Sequence, residues 1–92
     1  MRSYASVEEI DQEFIKCELE LIPVEESNAE DYATKPTDMI YLPAGIIPCD
    51  VTVCDGDILE VEHDGNGNVF CVSSKNDEEK SRRLELLRQL KI

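Results

Sequence analysis

The chain has 92 residues, with 21 acidic against 9 basic side chains, a net charge of −12, only 5% aromatic residues and no tryptophan. One small domain with a limited core is expected. A body this acidic repels phosphate backbones, which sets direct nucleic-acid binding aside, and no stretch approaches the roughly 20 apolar residues that span a bilayer.

The charge is uneven. Residues 1–75 hold 17 Asp and Glu against Arg2, Lys16, Lys35 and Lys75, or −13, whereas residues 76–92 hold four acids and five bases, or +1. The opening MRSYASVEEIDQEF lacks the apolar run of a signal peptide, so a cytoplasmic protein with reduced thiols is expected.

Two strand signals come first. SYASVEEI (3–10) is mixed in character, and DQE (11–13) turns the chain. EFIKCELELI (13–22) then alternates cleanly, with Ile15, Cys17, Leu19 and Leu21 on one face and Lys16, Glu18 and Glu20 on the other. Period two with charges opposite predicts a half-buried strand. Pro23 ends it, and the acidic, proline-bracketed stretch 23–38 reads as a long loop that Tyr32 pins to the body.

MIYL (39–42) is a short strand closed by Pro43. The following turn offers Ile46 and Ile47 to plug one end of the core. VTV (51–53) is a further short extended piece, and DGD (55–57) turns into the strand ILEVEH (58–63).

HDGNGN (63–68) follows as a hairpin tip. An Asn66-Gly67 type I′ turn, the preferred pair for a two-residue loop, sets Val61 opposite Val72, His63 opposite Phe70 and Leu59 opposite Ser74. One face is then Leu59, Val61, His63, Phe70 and Val72, and the other Glu60, Glu62, Val69 and Cys71. A one-residue slip would turn Phe70 and Val72 onto the Glu face, so burial selects this register. Phe14 and Phe70 are the expected aromatic anchors of the core.

The last segment predicts a helix over 76–91. Asn76 is a favourable N-cap and Glu79 completes a capping box. Acids lead and bases follow, as the macrodipole prefers, and Glu78/Arg82 and Glu79/Arg83 are i,i+4 pairs. Leu84, Leu86, Leu87 and Leu90 form a stripe that must pack on the sheet or on a partner. Arg83 lies near the middle of that stripe, either with its stem over the sheet and its head toward Glu79, or as a partner-facing cation. The expected fold is mainly β: one domain over 1–92, a small bent antiparallel sheet or partly open barrel with one C-terminal α-helix.

VEEIDQEFIKCELE (7–20), LP (42–43), GDILEVEHDGNGNVFCV (56–72) and EEKSRRLELLRQL (78–90), in that order, resemble the bacterial domain-of-unknown-function family numbered 3006, small acidic proteins common in Firmicutes. Order and spacing carry the resemblance over most of the chain. Glu9 and Gln12 depart from the Arg and Gly usual in the family pattern, and the loops at 23–38 and 44–55 are longer. Some members are linked to metallo-β-lactamase-fold proteins, so the resemblance implies an accessory module. It transfers no residue role.

Three chemistries have partial signatures in the sequence. Asp64-x-Asn66-x-Asn68 matches the start of an EF-hand loop, but Val69 stands where that loop needs Gly and Lys75 where it needs Glu. Cys17, Cys49, Cys54 and Cys71 offer four thiols, yet only Cys49 and Cys54 are spaced like a ligand pair. A Cys–His dyad would need His63 beside a thiol, and the hairpin register puts Cys71 on the opposite face. No cofactor, no metal and no catalysis are therefore expected.

Three functional readings remain. The preferred one is a small acidic interaction or accessory module whose partner is another protein, with neither nucleic acid nor membrane involved. The second is an acidic nucleic-acid mimic that inhibits a basic protein, with Glu18, Glu20, Glu60 and Glu62 forming a carboxylate row. The third is a cysteine-based metal or redox regulator. Glu18, Glu20, Glu60, Glu62 and Arg83 are the candidate partner-facing residues.

Overall fold

A computed structural model describes residues 1–27 and 36–90. The expected anchoring by Tyr32, residue 91 of the expected helix and the side chain of Leu90 lie outside the described residues. The strands are β1 (Arg2–Ile10), β2 (Phe14–Glu20), β3 (Thr37–Pro43), β4 (Ile58–His63) and β5 (Val69–Lys75), followed by helix α1 (Asp77–Leu90). The order across the sheet is β3-β2-β1-β4-β5, every neighbour antiparallel. The sheet is not closed into a barrel, so the bent open sheet is the form realised.

The alternation in β2 fixes the inner face. Ile15, Cys17 and Leu19 point inward with Ala5 and Val7 of β1, Leu42 of β3, Leu59 and Val61 of β4, and Val72 of β5. Leu21, Ile40, Ile46, Ile47, Val53 and Val69 pack around this cluster, so the two isoleucines close the core as expected. Curvature brings the hairpin tip across the inner face. A Cβ on Gly67 would lie 3.2 Å from an Asp38 carboxylate oxygen and 3.9 Å from Ile40 Cγ2 on β3, and its φ of +92° is left-handed. Glycine at this point permits both the turn and the approach.

Several expectations are corrected. The centre of the β4–β5 register is as read, with Val61 opposite Val72 and Glu62 opposite Cys71. Both ends slip: His63 faces Val69 and Leu59 faces Lys75, across two irregularities. Phe70 is consequently turned out, 68% exposed, and Val69 takes its place against the core. Tyr4, not Phe70, is the buried aromatic, while Phe14 stacks edge-on against Tyr41 with ring centroids 5.3 Å apart. The Asn66-Gly67 type I′ turn does not form, because it needs positive φ at both residues and no described non-glycine residue has one.

VTV lies outside the sheet. Asn76 does cap α1, its Oδ1 accepting from the Glu79 N–H at 2.9 Å. The reciprocal half of the capping box is absent, because the Glu79 carboxylate goes to arginines and the Asn76 N–H goes to the Ile58 carbonyl. Arg82 pairs with Glu79 at i,i+3.

Candidate functional site

Side chains alternating with the inner face point toward α1, and here the sheet buries charge. Arg83 sits 5.2 Å above the Tyr4 ring, with Nη1 2.6 Å from Glu20 Oε2 and Nε 3.6 Å from Glu79 Oε2. Glu79 also receives Arg82 at 2.8 Å. Tyr4, Glu20, Glu79 and Arg83 are all buried. The phenol of Tyr4 is pushed above its ordinary value by burial first and then by Glu79 and Glu60. The reading of Arg83 as a stem over the sheet is therefore the observed one, with Glu20 as an additional partner. It does not face solvent.

Next to this cluster, Glu60 takes Arg2 at 2.8 Å and the Asn76 side-chain amide at 2.9 Å. Asp57 takes Lys80 at 2.7 Å and the Cys54 N–H at 2.8 Å. Burial pushes the Asp57 carboxyl up, but the Lys80 hydrogen bond, the Cys54 N–H and the lysine charges outweigh it and hold the group below its ordinary value. The expected carboxylate row does not exist as a surface. Glu20 and Glu60 are buried and internally paired, and only Glu18 and Glu62 retain partial exposure.

On the inner face, His63 and Ser3 are fully buried. The Gly65 N–H donates to His63 Nδ1 at 3.1 Å, which assigns the ring proton to Nε2. Nε2–H then donates to Ser3 Oγ at 2.8 Å, and Ser3 donates to the Ile22 carbonyl at 2.6 Å. Every polar atom of the pair is satisfied, as burial demands. Burial and the neighbouring Met1 amine lower the affinity of His63 for a second proton, against opposing contributions from Asp64 and Glu62. The pair is sealed from solvent.

The Asp64 loop is closed by its own donors. Asp64 Oδ1 accepts from the N–H groups of Asn66 and Asn68 at 2.7 and 3.3 Å, and Oδ2 accepts from Asn68 Nδ2 at 2.8 Å. These hydrogen bonds, led by the Asn68 side chain, hold the carboxyl below its usual range. Asn68 thus donates to Asp64 instead of standing beside it as a second ligand. Among the described residues no group of three or more His, Cys, Asp or Glu is placed to hold a metal ion. Cys17 is buried and its thiol is pushed up to about 11, by burial first and then by Glu8. Cys49, Cys54 and Cys71 are exposed free thiols. Cys71 is on the outer side and His63 on the inner, as the register implied.

Within the leucine stripe, Leu84 and Leu87 remain open. Leu84 and Leu87 are 48% and 39% exposed, because Arg83 occupies the slot against the sheet. Together with Val7 and Ile58 they edge a cleft of about 230 Å³ between α1 and β1. No helix among the described residues is long and apolar enough to cross a membrane. No family model, curated protein or solved structure matches the chain.

The Ser3–His63 and Asp57–Lys80 pairs join residues far apart in the chain and have no local sequence motif. Ser3 carried a usable signal: it shares the inward phase of Ala5 and Val7, and an inward hydroxyl requires a partner. Asp57 in its turn gave no sign of Lys80, 23 residues away.

Proposed function

We propose that this protein is a small interaction or accessory module, acting on another protein and without catalytic activity of its own; the resemblance to the family numbered 3006 implies the accessory role. One observation carries the reading: a C-terminal helix presents Leu84 and Leu87 outward beside a cleft, on an otherwise strongly acidic body. Contiguous exposed apolar surface rimmed by polar residues marks interaction sites. The buried histidine, tyrosine and carboxylates are enclosed in internal pairs, which supports a structural use for them.

A photo-cross-linking amino acid placed at position 84, in the cells that make the protein, tests the reading. A discrete adduct with a second protein is expected from position 84 and not from exposed position 25. Absence of adducts at position 84, or adducts of twice the chain mass alone, would overturn it.

A further inference from the structure

We infer that the cleft between α1 and β1 receives a lysine- or arginine-bearing amphipathic helix of the partner, an inference that rests on the interaction reading above. The floor excludes a strand. β1 is the central strand, and the backbone of Val7 is fully engaged: its N–H donates to the Asp57 carbonyl and its C=O accepts from Gly56, both at 2.9 Å. A partner therefore meets side chains here and adds no ladder. The cleft, at about 230 Å³, is smaller than the roughly 300–1,000 Å³ of small-molecule pockets. It suits a few apolar side chains. Leu84 and Leu87, three residues apart, form a ridge against which a second helix packs ridge into groove, with anchors at i, i+3 and i+4.

Charge decides which helix. The two cations of the cleft are already engaged, Lys80 by Asp57 at 2.7 Å and Arg83 by Glu20 at 2.6 Å. Of the charged residues lining the cleft, Glu8 is the one left to meet a partner, while beyond the ridge Arg88 lies 3.6 Å from Glu85 and Arg82 pairs with Glu79. Glu8 lines the cleft and is exposed, half-buried Glu18 pairs across from cleft-lining Ser6, and the exposed Glu9, Asp11 and Glu13 continue from Glu8 along the chain. A second copy of this chain would bring −12 against −12, whereas a basic helix on a partner without that net charge complements both the ridge and its rim.

The test titrates isotope-labelled protein with a synthetic Leu/Lys amphipathic helix of roughly 15 residues, followed by amide NMR. Shifts are expected to cluster at Ser6, Glu8, Gly56, Leu84 and Leu87. The Leu84→Ser/Leu87→Ser variant, altered only at exposed positions, is expected to weaken binding by roughly tenfold or more, and Glu8→Gln by less. A Leu/Glu analogue of the peptide is not expected to bind. Shifts scattered over the acidic surface, unchanged affinity in the double-serine variant, or the same shifts on simply concentrating the protein would overturn the inference. A heteromeric adduct from position 84 combined with failure of the peptide would sink the basic helix alone. Loss of both would sink the interaction reading with it.

Discussion

The two faces of this sheet are built from alternate residues of the same strands, yet they are held by different forces. The inner face is a continuous apolar cluster around Leu19, Leu59 and Val61. The outer face meets α1 through Tyr4, Glu20, Glu60, Glu79 and Arg83. Apolar burial is non-directional, and it tolerates the two irregularities between β4 and β5. Buried ion pairs are directional, and their attraction offsets desolvation only when the geometry is good. The inner face therefore supplies most of the stability, and the outer face mainly dictates where the helix lies.

That contrast can be broken most strongly from within. Leu59→Ala on the inner face is expected to cost about 2–5 kcal/mol and to lower the urea midpoint for every probe at once. Removing Arg83 is expected to do less. Arg83→Met leaves Glu20 and Glu79 facing each other, but α1 can lift and rehydrate them, so the loss stays below the about 3–5 kcal/mol of a broken pair locked inside a core. Amide exchange should rise first in α1. Combining Arg83→Met with Glu20→Gln and Glu79→Gln should recover much of the loss. If the single variant unfolds the sheet as fully as Leu59→Ala, the separation of roles is wrong.

Acid separates the faces by pH. His63 holds a second proton less readily in the fold than at its ordinary value of 6.5. The unfolded chain then binds more protons, so this contribution is complete above about pH 6.5 and declines as pH falls from there toward the lowered folded value. Asp57 is also lowered, from 3.8, so its contribution is present above about pH 4 and is lost as pH falls through the folded value. Urea midpoints for His63→Gln should lose the upper slope and keep the lower one, and Asp57→Asn should do the reverse. Parallel curves for both variants would contradict the assignment. The mildest probe is alkylation: three cysteines should react in the native state, and Cys17, buried with its thiol near 11, only after denaturation.

How much of this was legible in sequence follows from the same forces. Strict alternation in β2 announced its inward residues, and Asn76 announced the start of the helix, because both signals are local. The hairpin was half legible. Burial of Val61 and Val72 fixed the middle of the register, but Asp64 captured the N–H groups of Asn66 and Asn68, displaced the expected turn and rotated Phe70 outward. The candidate site was misread where partners are distant in the chain. Glu20 and Glu60 looked like free strand carboxylates because nothing local reveals Arg83 or Arg2. The leucine stripe was legible as a face in need of a partner and Arg83 as a stem over the sheet, but the contact of Arg83 with Glu20 was not, because Glu20 lies far off in the chain.

The two irregularities beside β5 also bear on self-assembly. An edge strand with a regular ladder is a template for another chain, and bulges deprive it of that regularity. β5 is interrupted twice within seven residues, whereas β3 keeps an unbroken register with β2 from Thr37 to Pro43. Fibre-like growth of this sheet would therefore start from the β3 side, where Asp38 and the closing Pro43 are the residues that oppose it.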